Sequence, residues 1–187
     1  MRTLYFVTAN ENKVKEARQI LKLPVEHVHL DLDEPQTLDL ETIVRQKAIQ
    51  AHQKTGLPVI VEDTALSFVA WNGLPGTFIK WFLQTVGPVG ILKMLSSYED
   101  RRATATTAVA FHDGKQTLVA TGQTKGQIAL APCGQQGFGW DAIFIPDQAS
   151  TTFAEMSIDI KNAFSMRRKA LEQLRSLLES HLLTFSA

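Results

Sequence analysis

The chain has one cysteine, Cys133, no net charge and no long apolar run. A lone cysteine excludes an internal disulfide and suits a reducing compartment. Nineteen basic residues balance nineteen acidic ones, giving a formal net charge of +0. No global field therefore draws the protein to nucleic acid or to an anionic membrane, and any anion site must be a local cluster. No apolar stretch approaches the roughly 18 residues that a membrane helix needs. The start, "MRTLYFVT", lacks a small-residue cleavage pattern and reads as a first strand rather than a signal peptide. A soluble cytoplasmic protein is expected, with no nucleic-acid and no membrane partner.

Familiar nucleotide and metal motifs are missing too. There is no G-x-x-x-x-G-K-[ST] loop and no G-x-G-x-x-G fingerprint. His27 and His29 alternate on one predicted strand without a third ligand nearby, which favours two half-exposed histidines over a metal site. Cys133 has no neighbouring histidine, which argues against a nucleophile.

What is present is 187 residues, 44% of them hydrophobic, enough for one domain (1–187) with a sizeable core. Residues 3–8 read as a buried strand, and 12–22 as a helix with Val14, Ala17, Ile20 and Leu21 at helical spacing. A strand over 25–30 and an acidic loop, "DLDEP", follow. A helix over 39–54 stops at Gly56, and "PVIVED" is the next strand. "WNGLPG" is a turn cluster, with helices near 77–86 and 88–96 beyond it. Strands over 103–111 and 116–130 meet at an Asp113-Gly114 hairpin turn. A glycine-rich loop, "CGQQGFGWD", precedes a short strand, "AIFI". The last helix, 165–182, puts Leu171, Leu174, Leu177, Leu178 and Leu182 on one face. Intermixed helices and strands with one hairpin give an α/β (mixed α+β) fold in one unit, with two lobes as an option.

Several charges sit where helix physics does not want them. Asn10 suits the N-cap of the first helix, which places Lys13 at the third helical position, against the dipole. Either the helix start and Lys13 await an anion such as phosphate, or Lys13 is a solvated surface lysine. Arg167, Arg168 and Lys169 crowd the start of the last helix in the same way, with Lys161 just before. Arginine's planar fork suits phosphate or a base edge, and an exposed basic patch is the alternative. Lys47 shares a helix face with Leu40, Ile43, Val44, Ala48 and Ala51, so it either snorkels at the rim or points inward. Lys80 reads as part of a solvated face.

Opposing them are Asp31, Asp33 and Glu34 in one loop, and Glu62 and Asp63 in "VIVEDTAL". Strand geometry sends Glu62 and Asp63 to opposite faces. Carboxylates gathered by the fold could hold Mg²⁺, a hard ion that takes oxygen ligands and substrate phosphates. Phe138 and Trp140 flank Gly139 in a loop where aromatics could stack on a base.

Read together, "TANENK", "VEDTAL", "GLPGTFIKWF", "FGWDAIF", "FAEM" and "KNAFSMRRKAL" resemble the inosine triphosphate pyrophosphatases, nearly end to end and closer to the eukaryotic branch. The resemblance implies an elongated fold with a long twisted mixed sheet flanked by helices, two lobes around a central cleft, Mg²⁺ dependence and a homodimer. It implies hydrolysis of deaminated purine nucleoside triphosphates to the monophosphate and pyrophosphate. Thr8, Asn10 and Lys13 would bind the triphosphate. Glu34 and Asp63 would hold the metal, Asp63 also acting as base, with Lys13 beside it in catalysis. Thr64, Lys47 and Lys80 would contact phosphates or the catalytic centre. Phe138, Gly139, Trp140 and Asp141 would form the base pocket with Lys161, Met166 and Arg167. Two residues depart from the family pattern. Met166 stands in place of a histidine that helps recognise the 6-oxo purine, and Ala142 in place of a proline. Methionine cannot donate the hydrogen bond, so catalysis is better supported than base preference.

Overall fold

The computed structural model describes residues 3–184, apart from the side chains of Asn12 and of 181–184. Its strands are β1 (Leu4–Val7), β2 (Val25–Val28), β3 (Val59–Phe68), β4 (Pro75–Gly76), β5 (Arg102–His112), β6 (Thr117–Ile128) and β7 (Phe144–Pro146). The helices are α1 (Glu11–Leu21), α2 (Leu40–Thr55), α3 (Ile79–Thr85), α4 (Gly87–Met94), α5 (Ile158–Phe164) and α6 (Met166–Thr184). The strands form one seven-stranded sheet in the order β2-β1-β3-β5-β6-β7, with β4 on β3. Parallel pairing of β1 with β2 and β3 joins antiparallel pairing of β3 with β4 and of β6 with β7, so the sheet is mixed as expected. Asp113 Oδ1 accepts from the amides of Lys115 and Gln116, closing the predicted hairpin turn.

Two compact units divide the chain. The first holds Met1–Asp63, Thr107–Gly122 and Arg167–Ala187, and the second holds Thr64–Thr106 and Gln123–Met166. In the first, Val14, Ala17 and Leu21 of α1 and Ala170, Leu171, Leu174 and Leu178 of α6 pack with Phe6, Ile60, Val109 and Phe111. The 3.6-residue spacing read from the sequence is thus the buried stripe of each helix. Leu182 belongs to the side chains outside those described. In the second unit, Phe68, Ile79, Ile91, Trp140, Phe144 and Phe153 form a separate core. Phe144 is fully buried, 5.4 Å from the Trp140 ring and 5.2 Å from the Phe153 ring.

α2 begins where Asp39 accepts from the Glu41 amide and ends at Gly56, whose φ of +70° is the left-handed cap that glycine adopts without strain. Several elements differ from expectation, among them β4, a two-residue strand inside the expected turn cluster. The strand expected to stop at Asp63 continues to Phe68, because both carboxylates find cations and the apolar run of Ala65, Leu66 and Phe68 carries on. The strand expected at 142–145 is displaced to Phe144–Pro146, since a 3-10 turn at Asp141–Ile143 forms first. A separate helix, α5, precedes the last one, split from it by Ser165 in an extended conformation (ψ 120°).

Truncating Phe144 to alanine is expected to cost about 3–5 kcal/mol, whereas Ile158→Ala on the exposed side of α5 should stay within about 0.5 kcal/mol. Urea unfolding of the two variants measures the difference; equal costs would contradict the core assigned to the second unit.

Candidate functional site

In the first unit, β3 presents Glu62 and Asp63 to opposite faces, as alternation requires. The Glu62 side chain is fully buried and accepts from Arg167 Nε at 2.8 and 3.0 Å. Lys13 Nζ lies 3.2 Å from Glu62 Oε1, and Arg167 Nη1 donates to Glu16 Oε2 at 2.9 Å. The two cations that oppose the dipoles of α1 and α6 therefore converge on one carboxylate. Of the three charges at the start of α6, only Arg167 is buried; Arg168 is exposed and pairs with Glu172 one turn on. Lys13 is accordingly not a solvated surface lysine, and Arg167 is engaged by Glu62 and Glu16. Burial pushes the Glu62 carboxyl up, but Arg167 and Lys13 outweigh it and hold it below the ordinary glutamate value. Burial opposes the charge of Arg167 too, and Glu62 and Glu16 reverse the sign, holding it above the ordinary range.

On the other face, Lys47 is 9% exposed and donates to Glu34 Oε1 at 2.9 Å and to Asp63 Oδ2 at 3.1 Å. The inward alternative for Lys47 is the one the fold adopts. Burial pulls its ammonium down, and Asp63 and Glu34 more than compensate, leaving it above the ordinary lysine value. The acidic loop is gripped by the same helix. Gln50 exchanges two hydrogen bonds with Asp33, at 2.8 and 2.7 Å, and Lys54 Nζ donates to the Asp31 carbonyl. Gln50 and Lys54 were not among the expected site residues, yet their spacing from Lys47 (i+3 and i+7) places all three on one helix face. Glu34 and Asp63 give two hard oxygen donors that share one cation. No cluster of three or more histidine, cysteine or acidic ligands forms among the described residues. Two carboxylates completed by substrate phosphates is a usual complement for Mg²⁺, so the donor set fits that ion.

Thr8 and Asn10 lie between β1 and α1. The Asn10 amide donates to Thr8 Oγ1, the Lys13 amide donates to the Asn10 carbonyl, and His27 Nε2 bonds the Thr8 carbonyl at 2.7 Å. One ring nitrogen of His27 is thus engaged by the backbone.

In the second unit, Asp141 Oδ2 accepts from the Phe138 amide at 2.8 Å and from Lys161 Nζ at 2.7 Å. Gly137 has φ +78°, and a Cβ there would lie 2.1 Å from Asp141 Oδ2, so glycine is required for this closed loop. Lys161, carried by α5, sits 5.4 Å from the ring centres of both Phe138 and Phe153. Phe138 is 42% exposed, but Trp140 is 7% exposed and packs in the core with Phe144 and Phe153. Of the two aromatics expected as stacking surfaces, Phe138 alone presents an open face, because the Trp140 ring completes the apolar core. Gly139 stands between them with φ +64°. The loop is pinned rather than loose: the Cys133 amide donates to the Ala142 carbonyl, Thr152 Oγ1 to the Cys133 carbonyl, and the Gln136 amide to the Ala154 carbonyl. Met166 is buried at 4% among apolar residues of this unit. Lys80 is exposed with its Nζ 5.9 Å from the Trp81 ring centre, and Thr64 is half-buried on β3.

Glu62→Gln is expected to cost roughly 3–5 kcal/mol at pH 7, because it leaves buried Arg167 undercompensated. Glu41→Gln, in an exposed pair with Arg45, should cost at most about 1 kcal/mol. Since the folded Glu62 pKa lies below its free value of 4.5, its contribution is complete above that value and is lost as pH falls through the folded one. Denaturant midpoints from pH 7 to pH 3 should therefore show wild type and Glu62→Gln converging on acidification; a constant gap would contradict the buried-charge assignment.

Residues 4–177 match the Ham1 family. The chain is 44% identical to the inosine triphosphate pyrophosphatase of Saccharomyces cerevisiae, over 94% of its own length and 95% of that protein's. It is 42% identical to inosine triphosphate pyrophosphatase 1 of Trypanosoma cruzi, over 91% and 89%. Among solved structures, a HAM1 protein from Coxiella burnetii superposes with a TM-score of 0.85 at 28% identity, covering 96% of this chain and 100% of that one. A nucleoside-triphosphatase (dITP/XTP pyrophosphatase) from Mycobacterium abscessus gives a TM-score of 0.74 at 31% identity, covering 92% and 98%. Identity is thus higher to these two eukaryotic proteins than to the two bacterial ones, as "FGWD" and "IKWF" imply. With its motifs, its mixed sheet and near full-length matches in agreement, the chain belongs to the Ham1 family.

Proposed function

We propose that the protein hydrolyses deaminated purine nucleoside triphosphates (ITP, dITP and XTP) to the monophosphate and pyrophosphate, removing them from the nucleotide pool. The observation that carries this is the pairing of Glu34 and Asp63 on buried Lys47, in a chain more than 40% identical to named inosine triphosphate pyrophosphatases over most of its length. Glu34 and Asp63 are assigned to hold Mg²⁺, which when bound would neutralise phosphate charge. Asp63 is the base that orients a water for attack on the α-phosphorus and takes its proton. Lys13, with Thr8, Asn10 and Thr64, binds the triphosphate, and its ammonium steadies the charge that develops as pyrophosphate leaves. Lys47 and Lys80 are assigned to phosphates as well. In the second unit, the exposed Phe138 ring is assigned to the base, with Gly139, Asp141 and Lys161 forming the polar side of that pocket. Trp140 supports it from the core, and Arg167 positions Lys13 through their shared carboxylate, Glu62.

The whole chain is taken to act as one domain, since β3, β5 and β6 each run from one unit into the other. A cytoplasmic homodimer is proposed on the family resemblance, and no helix among the described residues is long and apolar enough to cross a membrane.

A second reading concerns selectivity. Met166 is buried and offers no donor, which favours a relaxed base preference with the same chemistry. A pocket that hydrogen-bonds its substrate rejects analogues by about 10⁴–10⁵-fold, whereas one without that bond manages about 10²-fold. The ratio of kcat/KM for ITP over ATP decides: a value near or below about 10² supports the relaxed reading, and a far larger one shows that other residues read the base.

Pyrophosphate release from ITP is expected to require Mg²⁺, and Asp63→Asn should retain the fold while losing roughly 10²–10⁴-fold in turnover. Unchanged turnover would remove Asp63 from its role as base. Binding of ITP without any release by the wild type would instead make the protein a nucleotide carrier.

A further inference from the structure

The ammonium of Lys47 bonds both carboxylates that are assigned to the metal ion. Its Nζ is 2.9 Å from Glu34 Oε1 and 3.1 Å from Asp63 Oδ2, so one monovalent cation already takes an oxygen from each carboxylate. This is not a loose surface contact. The Lys47 side chain is 11% exposed, and its stem lies on the buried stripe of α2 with Ile43, Val44, Ala48 and Ala51. The acidic loop that carries Glu34 is tied to the same helix by Gln50 and Lys54. A divalent ion taking up these oxygens would meet a like charge at hydrogen-bond range, and the two cations would compete for the same lone pairs.

We propose that Lys47 is a built-in counter-ion that keeps divalent metal out of the nucleotide-free protein. It gives way when a triphosphate offers its ammonium another anionic partner. Metal then enters with the nucleotide rather than before it. This rests on the assignment of Glu34 and Asp63 as metal ligands. By linkage, the factor by which nucleotide raises metal affinity equals the factor by which metal raises nucleotide affinity. If the bridged arrangement holds about 90–99% of the free protein, metal affinity is lowered about 10–100-fold.

Mn²⁺ binding, followed by the paramagnetic resonance of the free ion, tests this without turnover. In the absence of nucleotide, Lys47→Met is expected to bind Mn²⁺ about 10–100-fold more tightly than wild type, and Glu34→Gln in that background should abolish the gain. Equal affinity of wild type and Lys47→Met overturns the proposal. Should Lys47→Met not fold, the wild type suffices: the ¹⁵N resonance of the Lys47 ammonium should be unmoved by Mg²⁺ alone and shifted by Mg²⁺ with a non-hydrolysable inosine triphosphate analogue. A shift with Mg²⁺ alone overturns it. If wild type takes up Mn²⁺ with the analogue while Lys47→Met gains nothing without it, this proposal falls and the pyrophosphatase reading stands. If Mn²⁺ binds in neither condition, the metal assignment behind both falls.

Discussion

Glu62 is the constraint around which the first unit is arranged. A carboxylate with no exposed side-chain surface is tolerable when cations and hydrogen bonds replace the lost water. Here the replacements come from two helix starts, Lys13 of α1 and Arg167 of α6, and Glu16 of α1 takes the second arm of the arginine. Each helix has a basic residue at an end where its own dipole is unfavourable, and that local cost is offset by a contact far away in sequence. The position of Lys13 thus depends on Glu62 and, through it, on Arg167, more than a hundred positions downstream. Any role for that lysine in handling phosphate inherits the dependence.

The same strand serves the opposite face one residue later. Asp63 meets Lys47 on α2, and through Lys47 it is joined to Glu34 on an otherwise irregular segment. α2 acts as the clamp for that segment, with residues 47, 50 and 54 spaced along one side. An acidic loop that would otherwise be solvated is thereby given a fixed geometry, which is the property a metal-binding carboxylate needs.

Much of this was legible in the sequence. The helical stripes of α1, α2 and α6, the hairpin at Asp113-Gly114 and the Gly56 stop follow from local rules, and local rules hold wherever burial agrees with propensity. Lys13, Arg167 and Lys47 stood out because they broke such rules, and each lies in the clusters described here. What local pattern could not supply was partnership. The cations that Glu62 pairs with lie 49 and 105 positions away in the chain, beyond the reach of any local rule. The continuation of β3 past Asp63 was hidden for a related reason: two adjacent charges look like a strand end until each is known to be neutralised. The glycine-rich setting of Trp140 suggested an aromatic that could stack on a base, and its ring packs with Phe144 and Phe153 in the core. The expected start of the last helix at 165 agrees with α6, whereas α5 was not expected, because its seven residues leave Ile158 and Ile160 exposed and show no apolar stripe.

The alternation along β3 also limits how this protein can change over generations. Substitutions in Val59–Val61 that keep apolar character leave the parity of the strand untouched. Insertion or deletion of one codon there would leave the same charges and nearly the same hydrophobicity, but would exchange the faces of the two carboxylates. The carboxylate now opposite Lys47 would meet Arg167, and the other would meet Lys47. Length along this stretch is therefore under tighter restraint than identity, and lineages should vary its residues far more readily than their number.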